Sequence, residues 1–301
     1  MEETGQQAAP SLPRTPRMRY WRPAPELTPL VSGYHLYALA PPDGERQRDV
    51  FQPAWPSLRF ALGANDWCVR QPGEGWRKVP TRSVFGPSSR ITWSESGPGL
   101  VVGIGLRPRG WSRLARVNAA AWADRVGRAE DVFAFDTASL AASLERALDD
   151  PEVPALFDAF LRAHLGPPDE RDAVVGMIEA ALLDPELATV AALAERTGIS
   201  PRTLERLSQK AFGFAPKMLL RRARFLRSLH AMAQLPAADR ARSIDLAYTD
   251  YSHFVRDARH FLGMSPQAFL KLDTPLLRQS LILRQMVLGA PAQALAADED
   301  G

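Results

Sequence analysis

Two stretches toward the C-terminal end repeat one design: a short amphipathic segment, a turn, and a second segment with basic residues on its polar side. The first runs from Thr189 to Gly213 and the second from Ala241 to Pro266. In the first, Val190, Leu193 and Ala194 fall at i, i+3 and i+4, the spacing of one helix face. Gly198 stands where that helix must end, as a residue free to take positive φ. Ile199 supplies an apolar plug, Ser200 an N-cap, and Pro201 a first-turn residue whose missing N–H is an orphan donor anyway. Leu204 and Leu207 anchor the next helix, which leaves Arg202, Thr203, Glu205, Arg206 and Gln209 on open faces. The pattern is a helix-turn-helix, and a pair of them requires an all-α C-terminal domain with the two units joined by a long helix.

Charge distribution bears on what such a pair touches. The formal net charge is only +3, yet residues 196–227 hold nine Lys/Arg against one acid, Glu205. The preceding stretch, 173–195, has four acids and neither Lys nor Arg. A plain helical bundle with solvated charges is the bland reading. A cationic block beside an acidic one favours a phosphate-binding face. One such unit places one helix in a DNA major groove, and two read two successive stretches.

Residues 171 to about 273 resemble the DNA-binding domain of the AraC/XylS family of bacterial transcription regulators. The likeness rests on Leu193-Ala194, Gly198-Ile199-Ser200, Arg202-Thr203-Leu204, Phe212-Gly213, Pro216 and Arg224. In the second unit it rests on Tyr248, Asp250, Ser252-His253-Phe254, Arg256, Phe261, Gly263-Met264-Ser265-Pro266 and Phe269. The resemblance implies base contacts from Arg202, Glu205, Arg206 and Gln209 in the first recognition helix and from Tyr251, Ser252 and Arg256 in the second. Thr203 and Lys210 lie beside them, Lys210 as a phosphate contact. Phe254 is expected in the core, and His253 on backbone or phosphate. One position departs from the family: Ala247 stands where a glycine precedes the aromatic Tyr248. If that turn needs positive φ, alanine strains it. That departure keeps open a second reading, an effector-binding or protein-interaction module with a weakened, poorly specific DNA-binding domain.

The rest of the chain predicts an α+β protein. A length of 301 residues suggests two domains. Residues 1–17, with Pro10, Pro13 and Pro16, read as disordered. Short apolar runs between Gly/Pro turns follow: Leu58–Leu62, Trp67–Val69, Ser83–Phe85, Ile91–Trp93 and Leu100–Leu106. They predict a small β-sandwich or barrel-like sensor or dimerisation domain over 18–135. Pro29–Tyr34, Phe85-Gly86-Pro87 and Gly103–Pro108 are similar, more weakly, to the β-rich sensor region that precedes some AraC-type domains. Residues 136–168 read as a helical linker, opened by Asp136 as cap and striped by Leu140, Leu144 and Leu148, then by Leu156, Phe160 and Leu161. That stripe packs on the β domain or forms a dimer helix. The DNA-binding domain is expected over 169–275, with a C-terminal helix and disordered tail over 276–301.

No catalytic constellation stands out. The histidines His35, His164, His230, His253 and His260 show no metal-ligand spacing, there is no P-loop, and one cysteine, Cys68, cannot build a zinc cluster. No enzyme activity, cofactor or metal is therefore expected. Cys68 reads as a buried strand thiol. Asp43, Glu45, Asp49 and Asp66 read as solvated loop acids, and Arg59, Arg70 and Arg90 as exposed arginines or counter-charges to an anionic effector. Trp55, Trp67, Trp76 and Trp93 are either core or the lining of an effector pocket. The N-terminus lacks a signal-peptide pattern and no apolar run spans a bilayer, which predicts a cytoplasmic protein away from membranes. The expected partners are double-stranded DNA, RNA polymerase, a small-molecule effector and a second copy of the chain as a homodimer.

Overall fold

The computed structural model describes residues 17–63, 66–147, 152–168, 170–236, 239, 240, 244, 248 and 250–295. Among the described residues, ten strands form two antiparallel sheets. The larger has the order β1 (Arg17–Trp21), β2 (Val31–Leu39), β9 (Gly99–Leu106), β4 (Ser57–Leu62), β7 (Arg82–Phe85), β10 (Val126–Arg128). The smaller has β3 (Gln47–Phe51), β8 (Thr92–Ser96), β5 (Cys68–Arg70), β6 (Arg77–Lys78). Aromatic side chains join them: Trp67 stacks on Phe85 at 5.3 Å and Phe51 meets Phe85 edge-on at 6.0 Å. Among the described residues no strand pairing closes the larger sheet, so the unit is an open sandwich rather than a barrel.

The larger sheet is covered on both faces, which is why its strands read as unbroken apolar runs. Tyr34, Leu36, Leu58, Phe60, Val102 and Ile104 pack against α1 (Pro108–Leu114), α2 (Thr137–Arg146) and α3 (Glu152–His164). Asp136 caps α2 by accepting the Ala138 amide at 2.8 Å. Leu140 and Leu144 of α2 enter this core, and α3 buries Val153, Phe157 and the predicted Leu161, with the predicted Leu156 and Phe160 half-buried against the same cluster. The two helices therefore lie on the sandwich. Leu148 falls outside the described residues.

The C-terminal helices are α4 (Asp172–Ala181), α5 (Val190–Thr197), α6 (Pro201–Leu207), a wider π-helical turn Ser208–Phe212, α7 (Pro216–Ala233), α8 (Tyr251–Leu262) and α9 (Pro266–Leu270). Local chemistry sets their ends. Thr189, Ser200, Asp250 and Ser265 each cap the helix that follows by accepting an amide. Gly198 ends α5 at φ 66°, a conformation that strains any residue with a Cβ. The buried faces converge on Leu193, Leu204, Phe212, Phe225, Phe254 and Phe261. Phe225 lies between Phe261 at 4.9 Å and Phe254 at 5.6 Å.

A last helix, α10 (Pro275–Leu288), turns back onto the sandwich. Asp49 of β3 caps it, accepting the Leu276 and Leu277 amides at 2.7 and 3.1 Å. Ser280 bonds the Tyr20 hydroxyl, Arg284 lies 5.3 Å over the Tyr20 ring, and Gln293 donates to the Pro56 carbonyl at 3.0 Å. Leu288 sits so close over Gly33 that a Cβ there would come within 2.5 Å.

Four sequence expectations need correction. Asp49 is a buried strand residue, not a solvated loop acid, because its charge satisfies helix amides that have no intrahelical acceptor. Arg59 lies between the rings of Phe51 and Phe85, at 4.4 and 4.3 Å, and its Nη1 is buried, so it is not an exposed arginine. Arg70 is half-buried against Trp76 and Trp93, while Arg90 is exposed. Cys68 is half-exposed on β5, since the smaller sheet is covered less completely than the larger. Residues 1–16 and 296–301, assigned as disordered from composition, lie outside the described residues, and Arg17 opens β1.

Candidate nucleic-acid interface

The predicted contact residues lie on two helices whose opposite faces are core. In α6, Leu204 and Leu207 are buried, while Arg202, Glu205 and Arg206 are exposed and Thr203 is half-exposed. Gln209 and Lys210 continue the exposed face into the π-helical turn, where Gln209 donates to Glu205 at 2.7 Å. In α8, Phe254, Ala258 and Phe261 are buried, while Ser252 and Arg256 are exposed and Tyr251 and His253 half-exposed. The His253 ring stands edge-on to Tyr248 at 5.2 Å, and Gln267 bonds the Tyr251 hydroxyl. The structure thus brings Arg202, Thr203, Glu205, Arg206, Gln209 and Lys210 onto one surface and Tyr251, Ser252, His253 and Arg256 onto another.

An open groove of about 630 Å³ runs between these units. Thr189 and Val190 at the start of α5 form one side; Lys217, Arg221 and Arg224 of α7 and His253 and Arg256 of α8 form the others. The first turn of α5 adds partial positive charge from its unpaired amides. Asp257 is the one acid on the lining among the described residues, and it is consumed internally. It is 1 % exposed and accepts from Arg221 Nε at 2.6 Å and from the Tyr248 hydroxyl at 2.8 Å, with Arg224 at 3.8 Å. Burial and this carboxylate push the Tyr248 phenol up. Asp257 therefore fixes α8 against α7, a role the sequence pattern did not single out.

The cationic block does not face solvent as a whole. Arg196 pairs with Asp184 at 3.0 Å, Arg227 donates to the Leu182 carbonyl at 3.0 Å, and Arg222 is buried. Counting charges along the sequence overstated the open cations; Arg202, Arg206, Lys210 and Lys217 are exposed, as is Arg196 in its ion pair with Asp184.

Arg222 instead crosses to the N-terminal sandwich. Its Nη1 donates to the Ser88 carbonyl at 2.8 Å, and its guanidinium lies 4.0 Å from the Trp55 ring. Burial pushes its pKa down to about 9. Trp55 also meets Phe212 edge-on at 5.4 Å, at the end of the π-helical turn that follows α6. There Gly213, at φ 83°, lies so near Pro87 that a Cβ would come within 2.5 Å of it. The Ile91 amide donates to the Phe261 carbonyl at 2.9 Å, at the C-terminal end of α8. The sandwich therefore touches the trailing ends of α8 and of the segment that begins with α6, and leaves their leading ends open. A buried ion pair, Arg107 to Glu179 at 2.9 Å, ties the end of β9 to α4.

Of the tryptophans read as core or pocket lining, Trp67 lines a cavity between the sheets, Trp55 packs at the domain contact, Trp93 is half-buried and Trp76 is 43 % exposed. Ala247, and most of the helix expected before it, lie outside the described residues. Among the described residues no group of His, Cys, Asp or Glu is placed to hold a metal ion, and no helix is long and apolar enough to cross a membrane.

Comparison with known proteins agrees with this geometry in one segment. Residues 193–272 match a family described as a helix-turn-helix domain. No curated protein matches the chain in sequence. Among solved structures, ToxT from Vibrio cholerae at 1.65 Å resolution aligns at 11 % identity and a TM-score of 0.44, over 79 % of this chain and 97 % of that one. Apo ToxT K231A from Vibrio cholerae strain SCE256 aligns at 11 % identity and 0.43, over 79 % and 96 %. Unsaturated fatty acid-bound wild-type ToxT from that strain aligns at 11 % identity and 0.43, over 78 % and 93 %. Residues 193–272 are thus a helix-turn-helix domain.

Proposed function

We propose that this chain is a sequence-specific, double-stranded-DNA-binding transcription regulator whose N-terminal sandwich controls the placement of its recognition helices. The observation that carries the reading is the pair of exposed polar faces on α6 and α8, separated by a cationic groove and backed by one apolar core. Arg202, Glu205, Arg206 and Gln209 enter one stretch of major groove, and Tyr251, Ser252 and Arg256 the next. Thr203, Lys210 and His253 flank them. Lys210, Lys217 and the lining of the cationic groove neutralise phosphates and set register.

Control follows from the contacts behind the helices. Trp55, Pro87 and Ile91 hold the trailing ends at Phe212, Gly213 and Phe261. A change in the sandwich that alters these contacts biases the spacing of the two recognition helices, as a ligand biases any two-state arrangement it binds unequally. On this reading the protein works in the cytoplasm beside RNA polymerase. Genome-wide mapping of binding sites, followed by a gel shift of the recovered sequences, tests it. Recovery of one recurring two-part sequence is expected; occupancy without sequence preference overturns the reading.

A further inference from the structure

The open face of α6 and the turn after it carries one acid among cations. From Pro201 to Phe212 the charged residues are Arg202, Glu205, Arg206 and Lys210, and all four are exposed. Leu204 and Leu207 are buried and fix the rotation of the helix, so Glu205 lies one turn from Arg202 on the outer surface. A carboxylate three residues after an arginine and next to a second one is placed for an ion pair. Among the described residues Glu205 makes none. Its side chain bonds Gln209 instead, whose Nε2 donates to Glu205 Oε1 at 2.7 Å.

Beside a phosphate backbone, an unpaired carboxylate lowers affinity for every sequence. Glu205 therefore opposes the general attraction that Arg202, Arg206 and Lys210 supply. The repulsion is offset only where a base offers a hydrogen-bond donor. The Glu205–Gln209 pair is also one-sided in what it presents. Carboxylate oxygens only accept, and with the Gln209 amino group turned to Glu205, its amide oxygen is left as a further acceptor. In the major groove guanine shows two acceptors, thymine one, adenine an acceptor beside its amino group, and cytosine an amino group alone. A pair of acceptors repels guanine and thymine, half-matches adenine and suits cytosine.

We propose that Glu205, oriented by Gln209, is the base selector of α6: it admits cytosine at one position of the site and penalises the other three bases there. The inference rests on the DNA-binding reading above and names what that reading leaves open, a two-part site whose α6 half contains a C·G pair. Gln209 is a positioning residue, since its bond holds the Glu205 carboxylate to one side of the helix. Selectivity here comes from a repulsive element that weakens binding to wrong sequences, while the flanking cations hold the backbone.

Selection of sites from a randomised duplex library at fixed salt, with the full chain and its variants, tests the proposal. In the parent, one position of the recovered site should be cytosine by at least about ten-fold over any other base. Glu205→Gln should move that preference toward adenine, because an amide bonds N6 and N7 together. Glu205→Ala should lose the preference and bind an unrelated duplex about three-fold more tightly than the parent, as one repulsive charge is gone. Gln209→Ala should weaken the cytosine preference about three-fold without changing the base preferred. Thermal melts check that each variant folds. A cytosine preference that survives Glu205→Ala, or a Glu205→Ala protein that binds the unrelated duplex no more tightly than the parent, overturns the proposal. One recurring two-part site shared by the parent and every variant sinks the selector alone. A parent that binds duplexes without preference sinks the regulator reading and the selector with it.

Discussion

The Arg222 guanidinium lies 4.0 Å from the Trp55 ring, so a cation from the connecting helix of the DNA-binding domain rests on an aromatic side chain of the sandwich. The same guanidinium bonds the Ser88 carbonyl. A buried cation needs such partners, because desolvation disfavours its charge. The pair makes the domain contact specific rather than merely apolar.

Removing this latch should cost stability. Arg222→Ala leaves the Ser88 carbonyl without its donor and opens a gap against Trp55. A loss of about 2–4 kcal/mol is expected from those two effects together. Arg222→Met, which keeps the volume, should lose less. Urea midpoints of the two variants decide; variants as stable as the parent would show that the contact is incidental.

Asp49 is expected to hold the start of α10. Asp49→Ala removes the acceptor of two helix amides, and loss of an N-terminal cap costs about 0.5–2 kcal/mol. Amide exchange at Leu276 and Leu277 should accelerate while exchange in α7 stays slow. Uniform acceleration in both helices would mean that the substitution loosened the whole fold.

Acid should destabilise the protein through buried histidine. His230 on α7 is 9 % exposed, and burial holds its pKa down at about 4. His35 is likewise held well below the usual range by burial, helped by Arg59 and Arg284. Each folded pKa lies below the unfolded one, about 6.5, so the unfolded chain binds the proton more readily. The stability contributed by neutral His230 is therefore complete above about pH 6.5 and is lost as pH falls toward 4, up to about 3 kcal/mol. Melting temperatures at pH 7.5 and 5 measure this. In His230→Leu the drop should shrink, and an identical drop would assign it to other groups.

DNA binding should depend steeply on salt, with log affinity falling by about 0.9 per phosphate neutralised for each decade of salt. Lys210→Ala should weaken binding to every sequence alike and lower the slope by about 1. Arg206→Ala should cost about 1–3 kcal/mol at one base position. A flat salt dependence, or full base preference in Arg206→Ala, contradicts the placement of α6 in the groove.

Residues 168–275 should fold and bind DNA alone, since the caps and most of the helical core lie within them. Val50, Trp55 and Ile91 also join that core. The fragment should therefore melt below the full chain. A disordered circular dichroism spectrum would mean that the sandwich completes a core the helices cannot close.

Local signals made the helix-turn-helix units legible. Thr189, Ser200 and Gly198 sit within a turn of the helix ends they set, and the apolar spacing of Leu193, Leu204 and Leu207 is a property of helix geometry itself. The strands from Leu58 to Leu106 were legible for the same reason: short apolar runs stood between turn residues. The short or polar strands β1, β3 and β10 offered no such contrast. Nothing adjacent in the chain distinguishes the buried Arg222 from the half-buried Arg221, or Asp49 from Asp43. Arg222 meets Ala54 across 168 residues, and Asp49 meets Leu276 across 227. A charged side chain takes its role from what surrounds it, and packing supplied those surroundings. The sequence determined that α6 and α8 would form and which of their faces would be polar. Only the tertiary structure decided which arginines of the cationic block reach solvent and that the final helix returns to close the sandwich, because those outcomes depend on burial shared between distant segments.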